Sequence, residues 1–156
     1  MTYAEYRKSK QTEADNLPIF FAFNKEQFYD ACEKRNIKLD GSTKLVAIGG
    51  GGYCTKEDWP IVKEFMEKKD PITELMKDYD FAFDAIYYEM GNHEYHINYY
   101  QGDYDVCSCF GNCEWGGEEM KGEQYLVDMG YGEETIRAYK DARKKFMKDA
   151  IDNDWY

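Results

Sequence analysis

Between Asp78 and Glu134 the chain sets fourteen acidic side chains against one basic one, Lys121, and places nine of its fifteen tyrosines in the same stretch. A fold must bury those aromatic rings while keeping the carboxylates hydrated, because like charges without countercharge repel one another and cost stability. The remainder is close to balance: +2 over residues 1–56, -2 over 57–77 and +2 over 135–156, so the net charge of -11 belongs to one segment. Leu, Ile, Val and Phe supply only about 17% of the residues, a level that with such charge usually accompanies disorder. The 15 Tyr, 3 Trp and 7 Met restore enough large side chains for a core with aromatic walls. At 156 residues, the length prior is one domain.

The acidity argues against nucleic acid and anionic membrane as direct partners, since both are polyanions, and leaves cations and basic protein surfaces. The longest apolar run is the seven residues from Leu17 to Phe23, too short for a membrane span or a secretion signal. The expected location is therefore cytoplasmic. Five cysteines, an odd number, then read as reduced thiols rather than a disulfide framework.

Residues 1–16 are polar and read as a loosely held arm, leaving 17–156 as a single α+β domain. Ile19 to Phe23 reads as a buried strand, and Asn24 with Gln27 has the spacing of a capping box opening a helix, with Phe23 and Phe28 as its staple. A second strand over Lys44–Ile48 stops at Gly49–Gly52. Trp59, Val62, Phe65 and Met66 mark the next helix, and Asp70-Pro71 starts another through Ile72, Leu75, Met76 and Tyr79. From Asp84 to Phe110 the apolar residues alternate around Gly91-Asn92 and Gln101-Gly102-Asp103, which predicts a three-stranded antiparallel meander. Parity puts Ile86, Tyr88, Met90, His93, Tyr95 and Ile97 on its core side and Tyr87, Glu89, Glu94, His96 and Tyr100 outside, where Asp105, Cys107 and Cys109 join them if the second turn has an even number of residues, the better hydrophobic solution. A final helix starts near Glu133 with Ile136, Tyr139, Arg143, Phe146, Met147 and Ala150 on one face. The expected fold is an antiparallel sheet, made of the meander and the two early strands, with helices packed on one face.

Three motifs bear on chemistry. Gly91-Asn92-His93-Glu94 is similar to one metal-binding segment of metallophosphoesterases, which would make the chain a small metal-dependent hydrolase. The Asp-x-His and Gly-Asp-x-x-Asp segments those enzymes also need are missing, and the Gly-Asn pair is accounted for by hairpin turn chemistry. A subset of His96, Cys107, Cys109 and Cys113 could converge on zinc and staple a small module. His93 is excluded from acting with His96, because an odd separation on a strand sends them to opposite faces. Gly49-x-Gly51 between a strand and a helix lacks the third glycine of a dinucleotide loop and the Lys-Ser/Thr of a phosphate loop.

The segments FFAFNKEQF at 20–28, KLVAIGGGGY at 44–53 and YYEMGNHEY at 87–95 together resemble a family of small proteins of unknown function from bacteriophages and mobile elements, over roughly residues 17–110. The resemblance implies a phage or prophage accessory gene and brings no catalytic residue and no cofactor. The function expected is accordingly non-enzymatic: an acidic interaction protein that inhibits a basic, nucleic-acid-binding host protein by presenting carboxylates where phosphates would lie. Its face would consist of Asp78, Asp80, Asp84, Glu89, Glu94, Asp103 and Asp105. Tyr87 and Tyr100 would anchor it, because tyrosine gives contact area at small entropic cost. The same tyrosine stripe would serve a homodimer equally well.

Overall fold

The computed structural model describes residues 1–155. Helix accounts for 56% of the chain and strand for 7%, and the class is α+β with a three-stranded antiparallel sheet. The elements in order are α1 (Tyr3–Asp15), β1 (Phe20–Phe21), α2 (Lys25–Lys34), β2 (Leu45–Gly49), β3 (Gly52–Thr55), α3 (Trp59–Glu67), α4 (Ile72–Leu75), α5 (Tyr79–Asn92), α6 (Tyr99–Ser108), α7 (Gly122–Asp128) and α8 (Glu133–Asp152). The described residues fall into two compact units, one of residues 1–8 with those from 70 onward and the other of residues 9–69. The boundary thus differs from the arm and single domain expected at residue 16. Residues 3–15 are helical, and Tyr3 and Tyr6 are buried in the aromatic core of the first unit.

The smaller unit holds the whole sheet, in the order β1-β3-β2. The Asn24 cap forms as its spacing predicts: Asn24 Oδ1 accepts from the Gln27 amide at 2.9 Å, and Gln27 Oε1 accepts from the Phe23 amide at 2.9 Å. The staple does not close, because Phe23 is 74% exposed while Phe28 turns inward onto Phe20 and Tyr53. Gly49, Gly50 and Gly51 all have positive φ and form the turn of a β2–β3 hairpin. A Cβ on Gly51 would lie 2.5 Å from the Phe23 ring. The tetraglycine is therefore hairpin chemistry, and the strand that follows it leaves no helix N-terminus there for a phosphate.

The larger unit is helical, and it overturns the meander. The stretch 84–110, expected as three strands, instead holds most of α5 and all of α6. Phe81 and Ala82, Ala85 and Ile86, and Glu89 and Met90 are buried in pairs four apart, the stripe of a helix rather than the alternation of a strand. Asp78 caps α5 by accepting from the Phe81 amide at 2.9 Å, and Asn98 caps α6 by accepting from the Gln101 amide at 3.3 Å. Tyrosine favours strands only where it meets a pleated neighbour, and here the rings close onto other helices. The parity argument falls with the strands: Tyr88 and Ile97, expected in the core, are exposed, while Glu89 is buried. Gly102, read as a turn, sits inside α6 because the Tyr95 ring leaves no room there for a Cβ.

Helix α5 lies along α8, and Tyr79 and Tyr87 of α5 cross to it, Tyr79 onto Asp141 and Arg137 and Tyr87 onto Asp149 and Phe146. Ala138 and Ala142 are fully buried on α8, and Phe146 packs against the rings of Tyr87 and Tyr95. Tyr139, Phe146 and Ala150 are buried on α8 as its periodicity predicts. Among the described residues no helix is long and apolar enough to cross a membrane.

At Gly122 a Cβ would stand 2.1 Å from the Tyr139 hydroxyl, a fully buried group, whereas at Gly132 it would meet nothing within 4 Å. Gly122→Ala is expected to destabilise the protein by about 1–3 kcal/mol through overpacking. Gly132→Ala should change stability by a few tenths of that, and chemical denaturation of the two variants checks the contrast.

Candidate functional site

The end of α5 and the end of α6 bring three different donor atoms together. Glu89 and His93 are one helical turn apart on α5, and Cys109 caps the C-terminus of α6. His93 Nε2 is 3.4 Å from Glu89 Oε2 and 3.5 Å from Cys109 Sγ, and Sγ is 3.6 Å from Glu89 Oε2. Glu89 is only 5% exposed, while the histidine and the thiol reach the surface. Around this triangle, Tyr3 donates its hydroxyl to Glu89 Oε1 at 2.6 Å and Asn92 donates to Oε2 at 3.0 Å. Burial, followed by the hydrogen bond and charge of Glu89, holds the Tyr3 hydroxyl well above its ordinary range, so it remains a donor. Glu89 has no lysine or arginine ion pair among the described residues.

The geometry argues against a nucleophilic cysteine. A relay needs the carboxylate on one imidazole nitrogen and the thiol on the other, but here both face Nε2. Burial, then the charge and hydrogen bond of Glu89, also push the Cys109 thiol up to about 12, so it stays protonated near neutrality. A single cation between the three atoms fits better. Ligand bonds of about 2.0–2.3 Å at tetrahedral angles separate N from O by about 3.3 Å and each from S by about 3.5 Å. The observed separations are 3.4, 3.5 and 3.6 Å.

The zinc subset expected from the sequence does not assemble. Of His96, Cys107, Cys109 and Cys113, only Cys109 enters the cluster, and its partners are Glu89 and the His93 that strand parity excluded. Cys107 is buried beneath α7, 3.5 Å from the Gly122 carbonyl, with its thiol raised far above the usual range mainly by burial. The i, i+4 spacing of Glu89 and His93 was the available signal, and the strand assignment hid it. Gly91-Asn92-His93 is the last turn and cap of α5 rather than a hairpin turn.

The nine residues of the expected acidic face do not form one surface. Asp80, Asp84, Glu94 and Tyr100 are exposed, as is the cap residue Asp78, and Tyr87 and Asp105 are half-buried. Tyr87 donates to Asp149 at 2.5 Å instead of standing free, and Asp105 accepts from Gln101 at 2.8 Å. Glu89 and Asp103 face inward. Asp103 is 7% exposed, and its Oδ1 accepts from the buried hydroxyls of Tyr95 and Tyr139. Close by, Arg143 grips Glu123 with contacts of 2.6 and 3.4 Å.

A helix-dominated α+β protein with a Glu-His-Cys cluster between two helix ends is the class these features define. The chain belongs to a family of unknown function, DUF7659, which matches residues 2–113. The matched stretch runs from α1 through α6 and contains Tyr3, Glu89, His93 and Cys109. No curated protein and no solved structure matches the chain.

Burial works against ionisation of Glu123, but its backbone hydrogen bond, Arg143 and Lys140 outweigh it and hold the carboxyl below its ordinary value. A lowered folded value means that the pair stabilises the protein above the unfolded carboxyl range and loses that contribution as pH falls through the folded value. Arg143→Gln should therefore lower the melting temperature at neutral pH, and the gap to the parent should narrow below about pH 4, followed by thermal unfolding across pH.

Proposed function

We propose that the protein binds a single zinc-class divalent cation through Glu89, His93 and Cys109. The observation that carries this reading is the triangle of donor atoms at 3.4, 3.5 and 3.6 Å, with the size and composition of a face of a tetrahedral ligand shell. A mixed N, O and S set suits zinc and its neighbours rather than magnesium or calcium, which take oxygen ligands. The buried Glu89 carboxylate, served by Tyr3 and Asn92 but by no lysine or arginine, gains a countercharge when the ion binds. Tyr3 and Asn92 would orient that carboxylate, the part that outer partners usually play at metal sites. Three protein ligands leave a fourth position for water, the arrangement that a metal-dependent hydrolase also requires.

The test is titration of chelator-treated protein with zinc by calorimetry and with cobalt by absorption. One ion per chain is expected, with a cobalt–thiolate charge-transfer band that disappears in Cys109→Ser. His93→Ala should abolish tight binding, Tyr3→Phe should weaken it by about tenfold, and Cys113→Ser should leave it unchanged. Binding in Cys109→Ser as tight as in the parent would rule this reading out.

A second reading keeps the acidic interaction protein, in the context of a phage accessory gene and with a basic nucleic-acid-binding host protein as its target. What favours it is that Asp80, Asp84, Glu94, Glu114, Glu118 and Glu119 are exposed and make no ion pair among the described residues. A basic partner would relieve their mutual repulsion and be steered by it. The face is redrawn without Glu89 and Asp103. Asp80→Lys with Asp84→Lys should slow association and flatten its salt dependence, measured by surface-based kinetics with a partner captured from lysate. An unchanged on-rate would remove this reading.

A further inference from the structure

Four of the basic side chains of this acidic protein meet at one cleft. Lys121, at the start of α7, and Lys140, Arg143 and Lys144, on α8, line a cavity of about 760 Å³ in the larger unit. Elsewhere on α8 the cations are neutralised within the helix: Arg137 by Glu134, Lys145 by Asp149 and Lys148 by Asp152. At the cleft only Arg143 has a salt bridge, to Glu123, and Lys121, Lys140 and Lys144 form none among the described residues. Arg143 is held in place by that fork and lies 5.5 Å from the Tyr139 ring centroid.

The cleft also presents an acceptor. Asp103 belongs to its lining, and Tyr95 and Tyr139 both use Oδ1. Oδ2 makes no hydrogen bond to protein among the described residues and is left open to solvent at the cleft. An acceptor that only water serves is open to a donor from a ligand. Tyr99 and Tyr100, both exposed, add flat aromatic surface at the rim. Glu118 and Glu119 also line the cleft, so its sign is mixed rather than uniformly positive.

We propose that this cleft binds a nucleoside monophosphate. The lysines take the phosphate, a hydroxyl or amino group of the ligand donates to Asp103 Oδ2, and a tyrosine at the rim stacks on the base. The net charge of the protein does not forbid an anion here, because screening in physiological salt limits the reach of distant carboxylates to about 8 Å. The chemistry is separate from the metal cluster, whose residues do not line the cleft.

Calorimetric titration of the full chain with adenosine monophosphate, ribose 5-phosphate and inorganic phosphate tests the proposal. Adenosine monophosphate should bind saturably at one site, more tightly than either fragment. Lys140→Glu with Lys144→Glu should weaken it by at least about tenfold, while Lys145→Glu with Lys148→Glu, the same change in net charge away from the cleft, should not. Asp103→Asn retains an oxygen for both tyrosines and replaces Oδ2 with a donor. It should weaken adenosine monophosphate binding and spare inorganic phosphate. The proposal is overturned if adenosine monophosphate shows no saturable binding, if either fragment binds as tightly, or if the two lysine pairs behave alike.

Discussion

The packing of α5 along α8, bridged by Tyr79 to Asp141 and by Tyr87 to Asp149, is the constraint on which the larger unit depends. These two bridges align the helices side by side, and that alignment fixes where the larger rings must go. Toward one end it places Phe146 against Tyr87, Tyr95 and His96. It also sets Tyr139 of α8 beside Asp103 of α6, and it holds steady the helix that ends in Glu89 and His93. A chain poor in Leu, Ile and Val fills its core with tyrosine, phenylalanine and methionine side chains instead.

Tyrosine has two roles in this arrangement. Its ring supplies wall area, and its hydroxyl satisfies carboxylates that an acidic sequence inevitably draws inward. Tyr3 serves Glu89, and Tyr95 and Tyr139 serve Asp103. Burial and the neighbouring carboxylate together raise the hydroxyls of Tyr3 and Tyr95, so they stay protonated and keep donating. Neither buried carboxylate has a salt bridge to lysine or arginine among the described residues. This is why both acquire functional interest: one faces a histidine and a thiol, the other a cleft lined by lysines.

The legible parts of the fold were local. The Asn24 cap, the strand around Phe20, the strand around Val46 and the inner face of α8 at Tyr139, Phe146 and Ala150 could be read from spacing, because each rests on residues within one or two turns of chain. The stretch 84–110 was misread because tyrosine, isoleucine and valine carry strand propensity and Gly91-Asn92 carries turn propensity, while Asp78 and Asn98 as caps are weaker signals. The error moved Glu89 outward and His93 inward, and so concealed the metal-type cluster. Alanine at 82 and 85 is the residue type that favours the helix, and both are fully buried in it.

What the sequence determined by itself was the distribution of charge, the need for an aromatic core and the caps and turns set by short spacing. Only the tertiary structure decided which carboxylates are buried and which acids face solvent. It also decided that a thiol at the end of α6 meets a histidine and a glutamate at the end of α5, and that unpaired lysines gather at one cleft. The reason is that propensity acts through neighbours in the chain, whereas burial and donor geometry are set by contacts between segments distant in sequence, which local pattern does not encode.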